Sequence, residues 1–369
     1  MNTVRRTLLQ GGAAMGALMA APSLVLANPS TSRFAPQPGE WRTFDVTTRL
    51  MLEHPQGESR VWLPVPSIET DWQQTVGHSF QSNGKASLMA DGVEGTRFVS
   101  AEFAAGTQPV VEVTSRVRTR NRHADLSRPG KGFLREDAAA LHYYTRPTEL
   151  LPTDGIVRET ARKATKGAQT DVQKVRALYN WVVTNAWREP KVRGCGEGNI
   201  RVMLETGNLG GKCADINALF VGLCRAAGVP ARDVYGLRLV PSAFGYKQLS
   251  GNPANLSGAQ HCRAEVYLQQ YGWVAMDPAD VTKVMRHEAP DWIKTVDHPL
   301  VKPVYDGLFG GWEGNWVGWN TAHDLKMPGA KTGVLNFLMY PVAETAEGRV
   351  DSYTPAEFKY MITAQEVTA

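Results

Sequence analysis

Cysteine is scarce in this chain: there are four in 369 residues, all between positions 195 and 262. So few, gathered in one stretch, cannot form the framework that staples a small secreted protein. Apolar runs are short as well. None reaches the roughly 20 residues that span a bilayer, and no basic run marks a nucleic-acid partner. Low-complexity segments and internal repeats are absent. What remains is globular composition, 43% apolar and 21% charged with 35 Gly and 22 Pro, which excludes collagen-like and wholly disordered chains. The length implies two domains of roughly 100–200 residues each.

Acidic residues are missing from the first 27 positions. There Arg5-Arg6 precede Leu8-Leu9, and a Gly/Ala-rich stretch runs from Gly11 to Ala21. Val25-Leu26-Ala27 then places small residues where a signal peptidase cuts. The arginine pair resembles a twin-arginine export signal, with Val4 where Ser or Thr is usual. Cleavage after Ala27 predicts a periplasmic or secreted protein with no stable membrane insertion. The same two arginines account for half of the formal net charge of +4.

Two periodicities divide the rest. From Trp41 to about Arg120, β-branched and aromatic runs such as Arg42–Thr47, Arg60–Pro66 and Val110–Val117 are separated by Asn83-Gly84 and Asp91-Gly92. They predict an all-β, sandwich-like domain over 28–125. After Pro152 the period becomes helical. Thr153-Asp154 can cap a helix from Gly155, and Thr170 with Gln173 has capping-box spacing ahead of Val172, Val175, Leu178, Val182 and Ala186. Pro190 is expected to end that second helix, and Gly194–Asn208 reads as loop.

The chemistry gathers further on. Gly210-Gly211-Lys212-Cys213 opens a helix whose apolar positions Ile216, Leu219, Phe220, Leu223 and Cys224 recur at three- and four-residue steps until Gly228 and Pro230 stop it. A thiol in the first turn is favoured as thiolate, and the same helix end offers N–H groups to an oxyanion. Cys224, away from that end, reads as a core residue, and Asp215 as support for the helix start. Downstream, His261 opens a strand expected to turn Cys262, Ala264, Val266 and Leu268 to a core and Arg263, Glu265 and Tyr267 the other way. A return strand, Trp273–Met276, ends at Asp277, near His261. Cys213, His261 and Asp277 are then the parts of a nucleophile, acid/base and orienting carboxylate.

These blocks resemble the transglutaminase-like superfamily: Gly211-Lys212-Cys213-Ala214-Asp215 with Leu219-Phe220 and Arg225–Arg232, then His261 with Ala264-Glu265-Val266-Tyr267, then Gly272-Trp273-Val274 and Asp277-Pro278. The resemblance spans roughly residues 150–285. It implies an α+β fold, a papain-like core with a helix-start Cys packed on an antiparallel sheet. The organisation expected is a signal at 1–27, the β domain at 28–125, a catalytic domain at 126–289, and a C-terminal extension, 290–369, packing on the catalytic domain. The activity it implies is thioester acyl transfer on an amide or peptide bond of a peptide or protein substrate. Hydrolysis is preferred over transamidation, and a non-catalytic binding module is the other alternative. No cofactor is implied, and no acidic cluster of the EF-hand kind occurs. Metal binding is disfavoured because no cysteines lie two to four residues apart. Cys262 stands where the family usually has Trp or Ala.

Other features stay open at this point. A Cys195–Cys262 disulfide fits an oxidising compartment. Residues 241–260 form a loop bordering the site, a candidate lid. The second oxyanion donor could be Asn208, Trp187 or Gln260. Trp312, Trp316 and Trp319 could stack on a sugar or peptide, though their spacing fits one helix face packed on the core.

Overall fold

The computed structural model describes residues 34–128, 130, 136–353 and 358–367, so the expected export signal lies outside the described residues. Alternation builds the first strands. Arg42–Leu52 buries Phe44, Val46, Thr48, Leu50 and Leu52 while the residues between them are half-buried or exposed, the period of two that a strand imposes. It sits inside an antiparallel sheet ordered Phe358–Val367, Arg42–Leu52, Val110–Thr119, Gln73–Ser82. A second antiparallel sheet is ordered Gly348–Arg349, Val342–Thr345, Ser59–Pro64, Arg97–Phe103, Lys85–Ala90. Phe44, Leu50, Val61, Leu63 and Val99 belong to one buried cluster, so the two sheets share a core. The stretch 290–369, expected as an extension against the catalytic region, therefore supplies strands to both of these N-terminal sheets.

The helices begin where capping chemistry places them. Thr170 Oγ1 accepts the Gln173 N–H at 3.2 Å while Gln173 Oε1 accepts the Thr170 N–H at 3.2 Å, which starts the helix Asp171–Asn185. That helix stops short of Pro190, because Trp187–Arg188 leaves it to pair in parallel with Gly210–Gly211. The expected loop 194–208 contains a short helix, Ile200–Thr206, capped by Asn199 and ended by Gly207 at φ 68°.

A six-stranded sheet carries the site. Its order is Trp316–Asn320, Ala231–Arg238, Arg263–Leu268, Gly272–Met276, Phe309–Trp312, Arg122–His123. The three tryptophans therefore lie on strands, which corrects the helix-face expectation. Trp312, Trp316 and Trp319 are at most 2% exposed, so they pack in the interior and leave no face for a sugar ring. Among the described residues no helix is long and apolar enough to cross a membrane.

Candidate active site

Cys213 is the first residue of the helix Cys213–Ala226, and every residue from Cys213 to Arg225 is buried. This is a helix wrapped on all sides, more enclosed than the one-faced pattern predicts. Its start is locked by Asp215, whose carboxylate accepts the N–H groups of Lys212, Glu197 and Gly198, each at 2.9 Å. A side chain at Gly196 or Gly211 would collide with that carboxylate, and Gly196 also sits at φ 92°. The Ala214 N–H is taken by the Cys195 carbonyl at 2.9 Å. A first-turn N–H has no acceptor within its own helix, and the Cys213 N–H is a donor of that kind.

His261 and Cys262 precede the regular strand, which begins at Arg263. The expected alternation therefore fails at this point. Both side chains lie beside Cys213, whose thiol is influenced by those of Cys195 and Cys262 and by the His261 imidazole, while the Cys195 thiol itself donates to the Gln260 carbonyl at 3.3 Å. The three cysteines are free, so the possible Cys195–Cys262 disulfide is absent and both thiols instead flank the third. Alternation of core and solvent fails along the strand too. Arg263 and Glu265 are buried because each finds partners: Glu265 lies between Arg122 and Arg232, and Arg263 stacks over Trp316 at 4.7 Å.

Asp277 ends the return strand and caps the next helix, Pro278–His287, accepting the Asp280 N–H at 3.1 Å. Its other oxygen lies 2.7 Å from His261 Nε2. That contact leaves Nδ1 as the ring nitrogen free for Cys213. Asn217, one helical turn beyond Cys213, ties the three blocks together. Its Nδ2 donates to the Cys262 carbonyl at 2.8 Å and to Asp277 at 3.2 Å, and its Oδ1 accepts the Ala279 N–H at 3.2 Å. Trp316 Nε1 holds the His261 carbonyl at 2.9 Å.

The charges beneath the imidazole were not legible from the sequence pattern. Asp280 Oδ2 is 3.3 Å from His261 Nε2, and Arg238 Nη2 grips both Asp280 oxygens at 2.5 and 2.6 Å. Arg263 Nε lies 3.6 Å from Asp277. Burial and Arg238 push the His261 pKa down, yet the two carboxylates outweigh them and raise it to about 9. Hydrogen bonds from Cys195 and Cys262, then His261, pull the Cys213 thiol well below its ordinary value despite burial. Cys224 goes the other way, since burial alone drives its thiol up. Only Cys213 of the four therefore carries a stabilised thiolate. His261, Asp277 and Asp280 also offer ligand atoms within 4.8 Å of one another. Arg238 already supplies the cation there.

A cleft of about 330 Å³ opens onto Cys213 and His261. The expected lid forms much of its wall, through Ser250, Asn252, Asn255 and Gln260. It is anchored rather than loose, with Leu249 and Leu256 buried. Of the three suggested oxyanion donors, Gln260 lines the cleft and Trp187 packs its indole over Gly210. Asn208 is exposed, and its side-chain oxygen accepts the Gly210 N–H at 3.2 Å.

A buried-helix thiolate, an imidazolium and a carboxylate on an antiparallel sheet define the class of papain-like, transglutaminase-fold proteins. The transglutaminase-like superfamily model matches residues 158–278, a stretch containing all three blocks. An uncharacterized protein of Haemophilus influenzae is 34% identical over 325 residues, covering 83% of this chain and 85% of the relative. A Cytophaga hutchinsonii crystal structure bearing the words "Putative Cysteine Protease" superposes with TM-score 0.54 at 16% identity, over 89% of this chain and 99% of that one. The periplasmic domain of TgpA from Pseudomonas aeruginosa gives TM-score 0.36 at 16% identity, over 74% and 96%. Residues 158–278 of the chain are a transglutaminase-like superfamily domain.

Proposed function

We propose that this protein is an exported cysteine enzyme that cleaves an amide or peptide bond by acyl transfer through Cys213. The observation that carries this reading is one constellation: a sulfur at a buried helix start sharing a cleft with an imidazole whose Nε2 is held 2.7 Å from Asp277. The Cys213 thiolate attacks the carbonyl carbon, and the negative oxygen faces the Cys213 N–H. As the C–N bond breaks, the His261 imidazolium protonates the leaving amine. Water then attacks the thioester with His261 as base, releasing the carboxylic acid and restoring the thiolate. Asp277 orients the ring and supports its charged form. The polar lining of the cleft favours water as acceptor over an amine. The paired arginines at the N-terminus support a periplasmic or secreted location.

Mass spectrometry of a peptide library incubated with the enzyme and an added primary amine tests the reading. Carboxylic-acid products, lost in Cys213→Ser, are expected. Amide products with the added amine would replace hydrolysis by transamidation. Intact peptides with an unmodified Cys213 would argue for the binding module.

A further inference from the structure

Apart from the Cys213 sulfur, the charged groups beside this cleft are cationic. Arg188, Arg238 and Lys283 line it, and no carboxylate does. Arg238 is spent on Asp280. The other two are not. Arg188 sits on the two-residue strand that pairs with Gly210–Gly211, and its guanidinium makes no hydrogen bond or ion pair among the described residues. Lys283 is half-buried on the helix that Asp277 caps. Its ammonium donates to the Gln248 carbonyl at 2.6 Å and makes no ion pair among the described residues. An ammonium and a guanidinium kept beside a cleft with no carboxylate paired to either form a ready anion site, because the cost of removing their water falls due whether or not a ligand binds. Burial, Arg238 and Arg188 together lower the Lys283 pKa to about 8, against the pull of Asp280 and Cys213.

We infer that Arg188 and Lys283 bind a carboxylate of the substrate close to the scissile amide, so that the substrate class is an anionic peptide. This rests on the proposed role of Cys213 and adds what the enzyme selects. The carboxylate comes either from an acidic side chain or from a free chain end. Both present the same planar anion to a guanidinium fork and an ammonium. Ser250, Asn252 and Asn255, also in the lining, are polar and uncharged, suited to the neutral peptide groups around it.

Iodoacetate and iodoacetamide, a charged and a neutral reagent of nearly one shape, test the site on the intact protein. Both consume thiolate, so the ratio of their rates at Cys213 is independent of how much thiolate is present. Relative to free cysteine, that ratio is expected to favour iodoacetate by roughly tenfold, the effect of one charge-assisted contact. It should return to the free-cysteine ratio in the Arg188→Gln/Lys283→Gln variant. A ratio equal to that of free cysteine, or one unmoved by the double substitution, overturns the inference. If neither reagent modifies Cys213, the nucleophile assignment fails instead, and calorimetry of glutarate on the Cys213→Ser protein decides the anion site. Binding that vanishes with Arg188→Gln/Lys283→Gln supports it, and no binding refutes it. Peptide pairs differing only as Glu against Gln, or as free against amidated chain end, then identify the source of the carboxylate. The favoured member should have roughly tenfold higher kcat/KM through a lower KM.

Discussion

Replacing Asp280 by Asn removes one negative charge from beneath His261 and leaves the Arg238 guanidinium buried without its partner. The pair is almost wholly enclosed, with side chains 3% and 1% exposed and contacts of 2.5 and 2.6 Å. Breaking such a pair costs about 3–5 kcal/mol, expected as a fall in Tm of roughly 5–15 °C by calorimetry. The pH dependence must change as well. His261 is raised from 6.5 to about 9, a gap corresponding to about 3 kcal/mol of stability. Because the folded value is the higher one, that contribution is complete below pH 6.5 and is lost as pH rises through about 9. Asp280 is held far below 3.8, since Arg238 outweighs its burial. Its contribution is complete above the ordinary carboxylate range and is lost only as pH falls through the depressed value. In Asp280→Asn the acid limb should shrink, and the alkaline loss should be smaller and complete at lower pH, because Asp277 alone then supports the imidazolium against Arg238. Replacing the pair together, as Arg238→Met/Asp280→Leu, should recover most of the lost Tm, since no buried charge is stranded. A single variant as stable as the parent, or a double variant as unstable as the single, would refute the reasoning.

Alkylation of Cys213 by iodoacetamide, followed by mass spectrometry across pH, should proceed well below the region near pH 8.5 where an ordinary thiol ionises. His261→Ala should move the profile toward that region, and Cys262→Ala should move it part of the way, since the Cys262 thiol also stabilises the thiolate. Asn217→Ala should lower kcat by about tenfold with KM within about twofold, because it frees Asp277 and the Cys262 carbonyl without touching the cleft. Trp316→Ala removes a fully buried indole and its bond to the His261 carbonyl, so a loss of about 3–5 kcal/mol is expected in denaturant melts.

The parts of this site that were legible in the sequence are those set by local rules. Two glycines before Cys213, the stop at Gly228 and Pro230, and the capping box at Thr170 each act within a few residues, and the structure holds all of them. Asp277-Pro278 with Asp280 three residues on is also a local signal, a cap followed by proline at the first helical position. Read that way, it would have placed Asp280 beside Asp277. Strand alternation misled at the one place where it mattered, because His261 and Cys262 lie just outside the ladder and both turn to the same sulfur. The buried charges escaped for a different reason. Arg263 and Glu265 look solvent-facing in a period-two strand, and only tertiary partners far away in sequence make their burial possible: Arg122, Arg232, Trp312 and Trp316. Those departures have a common consequence. Cys262 donates to the thiolate, while Arg263, stacked against Trp316, stands behind the carboxylate that orients His261. The two residues beside the histidine thus stabilise the charged thiolate and its charged partner from opposite sides. For that reason a substitution at Cys262 should register in the pH profile of Cys213 before it registers in the fold, whereas one at the buried Arg263 should register in both.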